Sequence, residues 1–232
     1  MDVLTTRALS YTDDKGDKRE TVLTVFMPFE TESDWRVGFV FSPPIQRKIM
    51  YGRAGDVLAA LTYSLGIARA YLESTDLFGR AHWHGMVDCG LVDLVDMPVS
   101  WVPPDVPPAE ENPGNLAVFS TRRLGYPDEN GVERELLLTI FVPFKEGDGW
   151  KCGFTLGPPE SSPVHYGVGD DLIEAFLDGV AMVRVIFEQK VPRGWESSGE
   201  LQSCSDFPYK IARTFWMDPA PKFPGMPDFS AG

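Results

Sequence analysis

The chain has 232 residues, 43% of them hydrophobic and 12% aromatic, and a formal net charge of −13. That much apolar material builds one large core or two small ones and excludes a disordered chain. No run approaches the roughly 18 apolar residues of a membrane span, and the acidity weighs against nucleic-acid backbone, which takes clustered cations.

The opening residues, MDVLTTRALSYTDDKG, have no basic segment followed by an apolar one, so a cytoplasmic protein is expected. Three scattered cysteines are too few for a disulfide framework. Residues 4–12 and 18–29 read as strands around the turn DDKGDK, and WRVGFVF (35–41) as a third strand ended by Pro43 and Pro44. RKIMYG (47–52) supplies a short fourth. Asp56 stands where a helix N-cap belongs, ahead of a helix over about 55–74 whose Leu58, Leu61, Leu65, Ala68 and Leu72 recur at helical spacing. An irregular tail follows, containing AHWHGMVDC (81–89).

The same text then starts again. TRALSYTDDKGDKRE from Thr6 returns as TRRLGYPDENGVERE from Thr121, an offset of 115 residues that needs no gap anywhere. It pairs Trp35 with Trp150, Tyr51-Gly52 with Tyr166-Gly167, Asp56 with Asp171, Cys89 with Cys204 and Trp101 with Trp216. Residues 119–126 and 132–144 are the second hairpin, where Asn130-Gly131 signals a two-residue turn. WKCGFTL (150–156) and PVHYG (163–167) are its further strands. Asp171 and Glu174 have capping-box spacing before a helix over about 171–189, with Ile173, Phe176, Val180, Val183 and Phe187 on one face. The expected fold is therefore α+β: two tandem copies of a four-stranded antiparallel sheet, each packed on one long helix, with a pseudo-two-fold between them as one arrangement. The copies span 1–104 and 116–232. The Pro-rich stretch 105–115 is the linker, since Trp101 and Pro104 still match Trp216 and Pro219.

The repeat also weighs the chemistry. His82 and His84 lie two apart and suit a metal with Cys89 or Asp93 as a third ligand, the basis of a metal-dependent hydrolase reading. Aligned with ESSGELQSC (196–204), only the cysteine persists, so a surface loop is the simpler account and neither a metal nor a catalytic set is assigned. Cys89 and Cys204 read as core thiols. Asp170–Asp171 suggests an acid–base pair, but a cap explains Asp171 equally well. Tyr166-Gly167 lacks the residues of a phosphate loop. Arg7 with Glu20, and Arg122 with Glu135, are read as cross-strand pairs; Arg69–Glu73 and Arg184–Glu188 as surface ion pairs one helical turn apart.

Trp150-Lys151-Cys152-Gly153-Phe154, Tyr166-Gly167-Val168, Asp171 and the helix after it resemble a small bacterial domain of unknown function, with copy two the closer and Val37 replacing the strand cysteine in copy one. The resemblance implies accessory proteins of competition or defence loci, immunity proteins among them. The expectation is a non-catalytic protein-binding module, an immunity-type protein that occludes a basic toxin, with no cofactor, nucleic acid or membrane and a monomer or homodimer in solution. Trp83, Asp88, Asp93, Asp96, Trp101, Glu110 and Glu111, in the copy-one tail and linker, are the candidate contact residues. The alternatives are a small-ligand binder using the groove between copies and the hydrolase centred on His82, His84 and Cys89.

Overall fold

The computed structural model describes residues 1–13, 15–43, 45, 48–75, 81–82, 89–91, 110, 115–128, 130–190 and 207. Copy one runs β1 (Val3–Thr12), β2 (Lys18–Phe26), β3 (Phe29–Glu30), β4 (Trp35–Phe41), β5 (Met50–Ala54), α1 (Val57–Glu73) and β6 (Ala81–His82). Copy two runs β7 (Val118–Pro127), β8 (Glu133–Phe141), β9 (Phe144–Glu146), β10 (Gly149–Leu156), β11 (His165–Gly169) and α2 (Leu172–Lys190). The strands form two antiparallel sheets. One has the order β3-β4-β2-β1-β6 with β5 on the far edge of β4; the other has the order β11-β10-β8-β7 with β9 also on β10. Among the described residues no helix is long and apolar enough to cross a membrane.

The short strands depart from four strands per sheet, and proline is the reason. The expected strand 18–29 is cut at Met27-Pro28 and 132–144 at Val142-Pro143, since proline cannot donate to the ladder. Each resumes on the same neighbour with its register slipped by one residue: Val25 faces Phe39 but Phe29 faces Arg36, and Ile140 faces Phe154 but Glu146 faces Gly149. β6 is a two-residue addition to β1 through Ser10 and Tyr11.

The hairpin turns also differ from expectation. Asn130-Gly131 belongs to a three-residue loop: Asp128 N–H donates to the Val132 carbonyl at 2.9 Å, and Gly131 takes φ 76°. The Asp128 carboxylate accepts from the Asn130 and Val132 N–H groups and from Arg134. Asp13 does the same in copy one, accepting from Lys15, Asp17 and Arg19. An aspartate at the loop entrance organises the turn from inside.

Each helix lies on one sheet, α1 against β4 and β5, α2 against β10 and β11. Every apolar position expected on the two helix faces is buried. The approach is close enough to demand glycine in the edge strands. A Cβ at Gly52 would stand 2.4 Å from the Ser64 backbone nitrogen, and one at Gly167 would stand 2.1 Å from that of Gly179. This is the physical content of the repeated Tyr-Gly. Opposite them the copies exchange volume. Copy one packs Val37 with Ser64, whose hydroxyl donates to the Val37 carbonyl at 3.1 Å; copy two packs Cys152 against Gly179. The Cys152 thiol donates to the Phe141 carbonyl at 3.8 Å, and burial, with Asp178 adding to it, pushes its pKa well above the ordinary thiol range.

Apolar residues of both copies join in one core, Leu9, Phe39 and Leu65 from the first with Leu124, Phe154 and Phe176 from the second. A cavity of about 10 Å³, room for one water-sized sphere, lies where the copies meet. Its lining comes from both: Leu4, Val25, Leu61 and Leu65 against Leu172, Ile173 and Phe176, with Thr5 the one polar residue.

Candidate functional site

Two arginines that the fold buries among the described residues, Arg7 and Arg122, lie between the two copies. Arg7 sits on the inward face of β1, its side chain 0% exposed. Its Nε and Nη2 each donate to Asp171, the N-cap of α2, at 2.7 Å. The Asp171 Oδ1 that takes Nη2 also accepts the Glu174 N–H at 2.8 Å, so one carboxylate caps its own helix and holds the other copy's arginine. Arg122 stands in β7 at the position equivalent to Arg7. Its Nη2 donates at 2.8 Å to Asp56 Oδ1, which also accepts Ala59 N–H at 2.9 Å at the start of α1. Each copy thus lends an arginine to the other copy's helix N-terminus. Four chain segments are tied by two carboxylates.

The same arginines fasten the tails. Arg7 Nη1 donates to the Gly90 carbonyl at 2.6 Å and, more weakly, to that of Cys89 at 3.4 Å. Arg69 donates to the Leu91 carbonyl at 3.0 Å. In copy two Arg184 donates to the Phe207 carbonyl, and the Arg122 guanidinium lies 4.4 Å from the centre of the Phe207 ring. Gly90, Leu91 and Phe207 are therefore held in place through their backbone carbonyls.

Several expectations are corrected here. Arg7 faces Leu23 and Arg122 faces Leu138 across their hairpins, while Glu20 faces Ser10 and Glu135 faces Gly125, so neither arginine meets its supposed glutamate. Strand parity turns both arginines inward. Glu135 pairs instead with the outward-facing Arg123. Arg69 and Arg184 donate to tail carbonyls, and Arg184 is buried, so neither serves only as an exposed helical ion pair. The capping box holds with one change: Glu174 reaches back to the N–H of Asp170 at 2.6 Å, one residue before the cap.

Of the candidate contact residues, Glu110 lies among the described residues; Trp83, Asp88, Asp93, Asp96, Trp101 and Glu111 lie outside them. Glu110 forms a two-way backbone bridge with Val164, at 2.7 and 2.8 Å, and its carboxylate lies 3.9 Å from Lys151 Nζ. Glu146 meets the same ammonium at 2.7 Å and raises its pKa above the ordinary lysine value. His82 belongs to β6, opposite Ser10, while His84 and Asp93 are outside the described residues. Among the described residues no three His, Cys, Asp or Glu side chains form a metal-binding group. Cys89 is buried in the shared core, as expected of a packing thiol; Cys204 lies outside the described residues.

Comparison with known proteins finds a likeness within the second copy, over about a third of the chain. Residues 120–193, from β7 through α2, match the model of a domain of unknown function, DUF6968. The first copy is tied to that match by the 115-residue repeat and by a sheet of like topology. No curated protein and no solved structure matches the chain.

Proposed function

We propose that this chain is a non-catalytic protein-binding module, specifically a cytoplasmic immunity-type protein that neutralises a basic bacterial toxin by covering it. The observation that carries the reading is how the residues with chemical potential are used. The two N-cap aspartates, their arginines, Cys89 and Cys152 are all engaged in capping, cross-copy bonding or packing. The chain's net charge of −13 steers a basic partner and speeds its encounter. The acids of the copy-one tail and linker, Asp88, Asp93, Asp96, Glu110 and Glu111, with Trp83 and Trp101 as anchors, are the proposed contact set.

The reciprocal arginine–aspartate bonds support a pseudo-two-fold between the copies, in which residue i of one meets residue j of the other and the reverse. Such interlocking gives a binding module one fixed outline, so that little ordering remains to oppose association. The test is calorimetric titration with the product of each neighbouring gene. A one-to-one complex that tightens as salt is lowered, and weakens when Asp88, Asp93 and Asp96 are changed to lysine, is the expected result. No heat with any neighbour overturns the reading.

A further inference from the structure

The two sheets are built alike, yet they differ at one edge. In copy two the strand edge before β11 is occupied: Glu110 exchanges both backbone hydrogen bonds with Val164, and its side chain lies on the sheet face away from α2, near Lys151 and Tyr166. Val164, Thr155 and Thr139, neighbours on that face, are each 0% exposed. In copy one the matching residues are Ile49, Val40 and Thr24. Ile49 is 37% exposed, Val40 and Thr24 are half-buried, and β5 pairs with β4 alone among the described residues.

The charges differ in the same direction. Lys151 of copy two is answered by Glu146 and Glu110, and the residue opposite it is Val168. At those two positions copy one carries Arg36 and Arg53, directly opposite each other across β4 and β5. Like charges in that relation are unfavourable. Asp34 accepts from Arg36 at 2.8 Å and is, among the described residues, the one carboxylate in an ion pair with either arginine. Among the described residues the edge of β5 therefore has no strand partner and carries two arginines side by side, at the place where copy two has received an extended segment bearing a carboxylate.

We propose that the outer edge of β5, with Ile49, Arg36 and Arg53, is a docking site for an extended acidic segment of a partner protein, taken up as an added antiparallel strand. The segment supplies main-chain pairing at Ile49 and seats a carboxylate between the two arginines, as Glu110 does at Val164 and Lys151. This surface is distinct from the acidic tail and stands whether or not the toxin reading does.

A fluorescent peptide with the sequence of residues 105–114, DVPPAEENPG, is the probe, titrated into the full chain and followed by anisotropy. Saturable binding is expected. It should weaken roughly fivefold when the glutamate corresponding to Glu110 is replaced by glutamine, and by a similar factor in Arg53→Glu, a change at an exposed residue. N-methylation of the peptide at that glutamate, which removes the pairing donor and leaves the protein untouched, should abolish binding. Amide exchange should slow at Ile49. Absence of saturable binding at millimolar peptide, binding unaffected by Arg53→Glu, or protection confined to Val164 overturns the proposal.

Discussion

Replacing Asp171 by asparagine separates its two tasks. Asparagine still offers an oxygen to the Glu174 N–H, and as an N-cap it is about as good as aspartate. What disappears is the charge facing Arg7, whose side chain is 0% exposed and has no route to water. Removing one partner of a buried pair costs about 3–5 kcal/mol because the other charge is left in the interior. Here two features moderate the loss: Asp171 retains 20% side-chain exposure, and Arg7 keeps the Gly90 and Cys89 carbonyls as acceptors. We expect about 3 kcal/mol for Asp171→Asn. Arg7→Met should cost about 4 kcal/mol, since it also strips the two tail carbonyls of their donor. Asp56→Asn, which keeps an oxygen for Ala59 N–H and Arg122 Nη2 but removes the charge facing that guanidinium, should cost about 2 kcal/mol. Urea unfolding followed by tryptophan fluorescence measures each, and the Arg7→Met, Asp171→Asn double variant should reveal a coupling of about 1–3 kcal/mol. Single changes below about 1 kcal/mol with no coupling would refute the claim that these pairs join the copies.

Gly167→Ala and Gly52→Ala should each destabilise by at least about 3 kcal/mol, because the added carbon meets helix backbone that cannot yield. Gly55→Ala, with nothing within 4 Å, is the control and should leave the melting temperature nearly unchanged. Cys152 should resist thiol reagents at pH 8 in the native protein and react only on unfolding; mass mapping of alkylated cysteines checks this, and fast native labelling at Cys152 contradicts it. The Asp128 carboxyl, held low first by the Val132 N–H and then by those of Asn130 and Arg134, should titrate below the ordinary aspartate value in a carboxyl-carbon NMR series. Because its folded pKa is depressed, its contribution is present above the unfolded pKa and lost as pH falls through the lower folded value. Asp128→Asn should therefore flatten that acid limb.

The periodic features are legible in the sequence. Helix faces, N-caps and the 115-residue repeat follow from hydrophobic spacing and from side chains that bond their own backbone, both local in sequence. The breaks at Pro28 and Pro143 are legible in principle, since proline lacks a ladder donor, but the apolar residues on both sides of each read as one continuous strand. The cross-copy bonds were hidden for a different reason. Arg7 and Asp171 are 164 residues apart, and an arginine in a strand looks outward-facing until the register shows its parity. Their signal was the repeat itself, which preserves Arg7 with Arg122 and Asp56 with Asp171 at matched positions. Likewise Glu110 stood out as one acid among several, with nothing local to say that its backbone pairs with Val164.

The most direct test of the functional account titrates this protein against the activity of the neighbouring gene product. The account predicts that activity falls in proportion to added protein and reaches zero at a fixed equivalence, and that the lysine changes at Asp88, Asp93 and Asp96 demand an excess to achieve the same loss. Activity unchanged at several-fold excess of the intact protein would contradict it.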